Sequence, residues 1–487
     1  MSEIEVAEPM TVLGMRYNQQ STNPSMYQKR LQSYLYPTQN VSIQSNTSSS
    51  GALTIKFLVG SNFFLDGQNT YMILNALMTG FNSTTGIPIG TSNHAMFTSY
   101  SDTWIKSLTI YTNQGIVIEQ IRDYNVLAAI LKLNVSTNYL GSVGLQSLGI
   151  TDSLTIGQRQ ALALANKKYV LEMRGSGFLH AKNYLFLRGL ASQNSNSFQV
   201  EIEFCPATDC IVAWNQLNSS VTAPPPPGPL VSPYAAYVQG TTPIGYQFSN
   251  IVISQSLVQD DIMEAQLMEI IKTVPLMIHY ETYRNYQNGI SGTSTGETLS
   301  ISEYQESVRD MKNIFRYTND IGQLAIDQTY FINPQLIQYQ LQIGPIYLPS
   351  QPLKTGYNQT AIPANNYADL SEQYYEYFKC NQKAMFYDAG TAPTIMDSAN
   401  DNIVTNKDSN QFVLTEDMRP FPDYALGDPM YIDFISGYNT KSSPQPLQLQ
   451  LVHQMPTGDP NKNVTCNSFT HFDAYAVVQS NETYILS

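Results

Sequence analysis

Only 13% of this chain's 487 residues are charged, about half the usual share, while hydrophobic residues make up an ordinary 42%. The length supplies two or three domains and a sizeable core, but the surface lacks the charge that keeps a free soluble enzyme dispersed. Asn, Gln, Ser, Thr and 33 Tyr replace it, a composition that suits a subunit covered by other copies. The net charge of −13 is uneven: residues 1–225 hold 12 acidic and 13 basic side chains, residues 226–487 hold 26 and 12. The acidic half repels nucleic acid, and no basic arm or Arg-rich patch is present, so no direct sequence-specific nucleic-acid binding is expected.

Residues 1–50 are polar and rich in Tyr, Gln and Ser, and read as an extended arm that orders by lying on something else. The N-terminus is acidic and polar, unlike a secretion signal. No apolar run approaches the roughly 18 residues of a membrane span, so synthesis in the cytosol or nucleus is expected. Strand alternation begins with Leu53, Ile55, Phe57 and Val59. Asp66-Gly67 reads as a turn before a strand at Thr70–Leu74. Trp104–Tyr111 alternates again, Asn113-Gln-Gly115 turns the chain, and Ile116–Ile118 returns as a hairpin partner. The period then changes. Tyr124, Leu127, Ala128 and Leu131 share one face of a short helix. A second helix follows a capping box of Thr155 and Gln158. Further strands are expected at Tyr169–Met173, Tyr184–Leu187, Phe198–Phe204 and Ile211–Trp214. Cys205 and Cys210 flank a four-residue turn, which leaves two states open, a disulfide or two reduced core thiols.

Val221–Pro233 contains four consecutive prolines, Pro224–Pro227. Such a run has no backbone donors and holds an extended conformation, so it reads as a strap between two units. Beyond it the grammar repeats. A strand at Tyr246–Ser254 leads to a helix opening at Asp260 or Asp261, with Met263, Leu267, Ile270 and Ile271 as its apolar face. Strands follow at Leu276–Tyr283, Gln338–Ile343, Gln411–Leu414, Tyr431–Ile435, Leu447–Val452 and Phe472–Val478. About eight strands per half, with helices confined to connections, predict an all-β chain of two tandem eight-stranded jelly rolls. The expected divisions are an arm at 1–50, a first jelly roll at 51–220, a linker at 221–240 and a second jelly roll at 241–487.

Motifs for chemistry are weak. Gly292-Thr-Ser294-Thr-Gly296 matches a nucleophile elbow by letters alone, but Gly289–Thr298 reads as a loop of small residues. The five His (94, 180, 279, 453 and 471) are scattered and are expected at the surface or rim. Asp397, Asp401 and Asp408 lack the spacing of a calcium loop, and a solvated loop is the simpler reading. The clusters Tyr280, Tyr283, Tyr286 and Tyr374, Tyr375, Tyr377 suit strand-face or interface packing better than a stacking surface for sugars or bases. No catalytic residue, metal site or cofactor is expected.

After the Trp104–Tyr111 strand, Glu119-Gln-Ile121-Arg-Asp-Tyr124-Asn-Val-Leu127 has the form E-x-I-x-x-Y-x-x-L. This resembles a segment of the major capsid proteins of Polinton-like viruses, adintoviruses and virophages, within the adenovirus-related double-jelly-roll lineage. Phe198–Phe204, Tyr339–Gly344 with Tyr347-Leu-Pro349 and Pro352-Leu353, Asp417–Phe421 and Ser436–Thr440 resemble further segments of that family in the same order. The resemblance implies a homotrimer whose six jelly rolls form a pseudo-hexagonal capsomer of an icosahedral DNA virus shell, located in the virion. It implies minor capsid and penton proteins as partners, an internal membrane as a possible contact, and no reaction or cofactor. The residues add a structural reading. Glu119 is placed to cap the following helix, while Ile121, Tyr124 and Leu127 pack that helix on the first barrel. The alternative reading is a β-sandwich spike that binds a glycan or receptor through Tyr-lined loops.

Overall fold

The computed structural model describes residues 29–486 apart from 40–41, 50, 61–62, 81–92, 113, 134–143, 152–153, 155, 182–183, 191–196, 217–233, 237–242, 325, 335, 355–379, 381–411, 420–436, 442–445, 454–462 and 480–481. Outside the described residues lie the Pro224–Pro227 strap, Thr155, the Asp397–Asp408 segment, Tyr374, Tyr375 and Tyr377, and the strand expected at Tyr431–Ile435.

The first half contains β1 (Lys29–Leu35), β2 (Ile43–Asn46), β3 (Thr54–Val59), β4 (Phe64–Thr79), β5 (Asn93–Phe97), β6 (Ile105–Thr112) and β7 (Val117–Arg122). After helices α1 (Tyr124–Lys132) and α2 (Ile156–Leu164) come β8 (Lys167–Leu171), β9 (Leu185–Phe186), β10 (Phe198–Phe204), β11 (Ile211–Gln216), β12 (Tyr234–Ala236) and β13 (Gly245–Gln259). Helix α3 (Asp261–Ile270) leads to β14 (Leu276–Ile290), β15 (Gly296–Ile301), β16 (Val308–Tyr317), β17 (Leu336–Ile343) and β18 (Ile346–Lys354). The last strands are β19 (Val413–Asp417), β20 (Leu447–His453), β21 (Val464–Gln479) and β22 (Glu482–Leu486).

The sheet order repeats. In the first half the strands run β1-β13-β4-β8, with β2 also on β13, and β3-β10-β6-β7. In the second they run β14-β21-β16-β19 and β15-β20-β17-β18. Counting β1 with β2 as one strand and leaving out β5, β9, β11, β12 and β22, each half pairs its eight strands as 1-8-3-6 and 2-7-4-5. That is the connectivity of two four-stranded sheets closed over one core, the jelly roll. No similarity of sequence between the halves announces this duplication; the ladders do.

Phe57, Phe64, Trp104, Phe198 and Phe248 are buried in the first core. Trp104 and Phe248 stack at 5.3 Å between ring centroids. β10 shows why the alternation was legible. Its residues FQVEIEF alternate between buried and partly open positions, because one face meets the core and the other does not.

Several expectations are corrected. Asp66-Gly67 does not reverse the chain. It lies inside β4, where the register with β13 shifts, and a Cβ on Gly67 would stand 1.6 Å from the Leu179 carbonyl oxygen. The glycine serves close backbone approach. The arm is not wholly separate: β1 pairs with Ile253–Gln259 and β2 with Gly245–Phe248 of β13. β13 pairs in turn with β4, so residues 245–259 belong to the first jelly roll's sheet, beyond the boundary expected at 241. β15 occupies part of the expected small-residue loop, and β16 had no sequence counterpart. In α3, Asp260 caps the helix by accepting from the Ile262 and Met263 amides. Leu267 and Ile271 are buried there, but Ile270 is exposed. Cys205 and Cys210 are buried, free thiols on either side of a helical turn, and the Cys210 thiol lies 3.5 Å from the Cys205 carbonyl oxygen.

Candidate functional site

The E-x-I-x-x-Y-x-x-L segment lies on β7 and α1, where the two jelly rolls meet. Glu119, Ile121, Tyr124 and Leu127 are all buried. Glu119 does not cap α1. It sits within β7, and its carboxylate accepts from the Ser176 hydroxyl and, at 3.0 Å, from the Gly177 amide. Asp123, in the left-handed conformation with φ 50°, precedes α1 without a side-chain cap. Its carboxylate turns outward instead, 3.0 Å from Lys106 and accepting from Asn285 at 2.7 Å and Gln287 at 3.0 Å on β14. The seam therefore takes the group that local sequence offers to the helix.

A loop, residues 172–179, fills the space between these elements. Asp102 accepts from the Glu172 amide at 2.8 Å, and the Tyr124 hydroxyl accepts from the Gly175 amide at 3.0 Å. The Ser176 hydroxyl also accepts from the Leu179 amide. Each contact satisfies a backbone donor that burial would otherwise strand. Gly177 then presses on β14, where a Cβ would stand 1.5 Å from the Glu281 carbonyl oxygen. Next to it, Tyr280 donates to the Ile118 carbonyl at 2.6 Å and meets Phe178 edge-on. Sequence reasoning identified one wall of this seam. It missed Asp102, Asp123, Ser176 and Gly177; the only local signal was Gly175-Ser176-Gly177, a run small enough for close backbone approach.

Burial pushes the Glu119 carboxyl from about 4.5 up to about 7, against the hydrogen bonds from Ser176 and Gly177. Burial, reinforced by the Glu172 charge, likewise raises Asp102 to about 7. The folded state thus holds the Glu119 proton more tightly than the unfolded state. Its contribution to stability is complete below about 4.5 and is lost as pH rises toward about 7. Glu119→Gln, which keeps the shape but cannot ionise, is expected to flatten part of this loss. Between about pH 5 and about pH 8 the thermal midpoint of the wild type should fall further than that of the variant. Parallel midpoints would remove Glu119 from the seam's titration.

A second buried cluster lies on β14, β16 and β21. His471 stands 2.9 Å from Asp310 and 3.3 Å from Glu281, and His279 stands 2.8 Å from Asp473. Lys312 pairs with Asp310 and Arg309 with Glu281. Tyr283 stacks on His471 at 4.4 Å. Burial opposes the charge on His471, but Asp310 and Glu281 raise its pKa; burial likewise opposes the Asp310 charge, yet Lys312 and His471 hold that carboxyl well below its usual range. These histidines are structural and interior, not at the rim as expected, because paired charges can be buried where single ones cannot.

Ser294 lies in the turn between β14 and β15, 3.4 Å from His453 Nε2. His453 Nδ1 is buried with no hydrogen-bond partner, so no acid orients the ring, and a strand rather than a helix follows the serine. Among the described residues, no set of three or more His, Cys, Asp and Glu side chains is placed to hold a metal. Tyr280 and Tyr283 are engaged in packing, and the Tyr286 hydroxyl donates to the Ser302 carbonyl at 3.0 Å.

Two complete jelly rolls in tandem, joined by a buried polar seam, define a double-jelly-roll protein. Similar solved structures include the Faustovirus major capsid protein, at a TM-score of 0.56 and 8% identity over 94% of this chain and 92% of that one. PBCV-1 VP54, fitted into a cryo-EM reconstruction of the virophage Sputnik, gives a TM-score of 0.53 at 11% identity over 96% of this chain and 98% of that one. No family model and no curated protein matches the sequence.

Proposed function

We propose that this chain is a major capsid protein: a structural subunit that forms homotrimeric, pseudo-hexagonal capsomers of an icosahedral DNA virus shell. The observation that carries the reading is the duplicated sheet order, with the two rolls locked through Glu119, Asp123 and Tyr280. A rigid pair of like modules is the unit from which three copies build a six-lobed particle. The fold neighbours support it, since one is a major capsid protein and the other was fitted into a virus particle. In this role the partners are further copies of the chain, then minor capsid and penton proteins, with a membrane beneath the shell as a further contact. The location is the virion, reached after synthesis in the host cytoplasm and assembly there or in the nucleus. Glu119, Ile121, Tyr124 and Leu127 act by holding the seam, and assembly is the activity. The test is the native mass of the protein without any added ligand, expected at three chains.

A further inference from the structure

Several buried acids in this chain are matched by a cation. Asp310 faces Lys312 and His471, Asp473 faces His279, Glu303 faces Arg284 and Glu264 faces Arg188. Asp102 and Glu119 are as deeply buried, at 1% and 2% exposed, yet among the described residues neither makes an ion pair. Both hold the same loop, residues 172–179. One oxygen of each carboxyl takes a backbone amide of that loop: Asp102 Oδ1 that of Glu172 at 2.8 Å, and Glu119 Oε1 that of Gly177 at 3.0 Å. The other oxygen faces hydroxyls. Asp102 Oδ2 meets those of Tyr100 at 3.1 Å and Tyr124 at 3.5 Å, and Glu119 Oε2 meets that of Ser176. A hydroxyl can accept as well as donate, so the second oxygen of each acid can carry a proton and donate it there. The two sites suit a neutral acid and penalise a lone buried charge.

The neighbouring elements do not supply the missing counter-charge. Around Asp102 stand Tyr100 beside it in the chain, Tyr124 from α1, and Glu172 and Arg174 from the loop, which pair with each other at 2.7 Å. Around Glu119 stand Tyr124 from α1 and Tyr280 from β14, both kept neutral because burial raises their pKa. Glu281 of β14 meets the loop with its backbone and turns its carboxylate to Arg309 and His471. His180, just past the loop, is neutral too, since burial lowers its pKa to about 4.

We propose that loop 172–179 is a proton-operated latch between the two jelly rolls: protonated Asp102 and Glu119 clamp it at two points, and loss of both protons lets it open. From this loop Gly177 presses on the Glu281 carbonyl and Phe178 packs on Tyr280. An open latch therefore removes the wedge between β14 and the first roll, while Asp123 still holds Asn285 and Gln287. The sign follows from burial. In the open loop both acids lose their protons at ordinary carboxyl values, and in the closed loop only near about 7. Between those values each opening releases protons, so the latch is tightest in mild acid and loosens as pH rises to about 7. The device belongs to the single chain and does not depend on the trimer reading.

Amide hydrogen exchange of the full-length chain tests the latch. Protection of the Gly175 and Gly177 amides, corrected for the intrinsic pH dependence of exchange, is measured between about pH 5 and about pH 7. Wild-type protection should fall by about tenfold per pH unit for each carboxyl, and so by about a hundredfold for the pair. Asp102→Asn and Glu119→Gln place an NH2 group where the acid carries its O–H, so each keeps its own clamp shut at every pH. Each single variant should leave a fall of about tenfold per pH unit, and the double variant should be flat. If the double variant does not fold, the two single variants carry the comparison. Wild-type protection that does not change with pH overturns the latch. A wild-type fall that both single variants retain in full overturns the role of these two carboxyls.

Discussion

Leu127→Asp is expected to leave almost no folded protein. Leu127 is wholly buried on α1, between Tyr124 and the helix residues Ala128 and Ile130, which are buried too. Its Cδ2 also bounds the loop: a Cβ on Gly175 would stand 3.1 Å from it. A carboxylate at this point loses its water and gains no designed partner, at a cost of about 5 kcal/mol or more. Domains are stable by only about 5–15 kcal/mol in total, so the soluble yield should collapse. Asp protonation would offset part of the penalty, but only by shifting the group's pKa far upward. Soluble, normally assembling Leu127→Asp protein would show that the stripe is not core.

Gly177→Ala is the second large effect, from one added methyl group. The atom it meets is the Glu281 carbonyl oxygen, at 1.5 Å, and a backbone atom in a strand cannot rotate aside. Either the 172–179 loop or β14 must move, and either movement breaks the Gly177–Glu119 and Tyr280–Ile118 hydrogen bonds. The cost should reach or pass the upper end of ordinary overpacking, about 3 kcal/mol. Gly289→Ala is the control on the same strand, since a Cβ there meets nothing within 4 Å. The thermal midpoint should fall steeply for Gly177→Ala and hardly at all for Gly289→Ala. Equal, small shifts for both would mean that the rolls are not pressed together at this loop.

The sequence made α1 and β10 legible because each buries one face, and burial of one face imprints the period of the element on the residues. It hid β16 for the opposite reason. Val308–Arg316 is buried at every position, so no alternation exists, and its charges are answered by Glu281 and His471 on the neighbouring strands and, for Asp310 and Lys312, by each other along β16. β1 was hidden because its outer edge is exposed and only Ser33 and Leu35 are partly buried. The proline strap marks a break in composition but not the end of the first roll, whose last strand, β13, follows it. Glu119 stands just ahead of α1 in the sequence, a proximity that suggests a local cap. Its partner, Ser176, lies 57 positions away, a distance that no local pattern spans.

On the capsid reading, one chain supplies two of six equivalent places in a closed particle. Native mass by multi-angle light scattering on purified, ligand-free, full-length protein at micromolar concentration tests it most directly. A single species at about three times 54.4 kDa is expected, and a monodisperse species at 54.4 kDa would rule the trimer out.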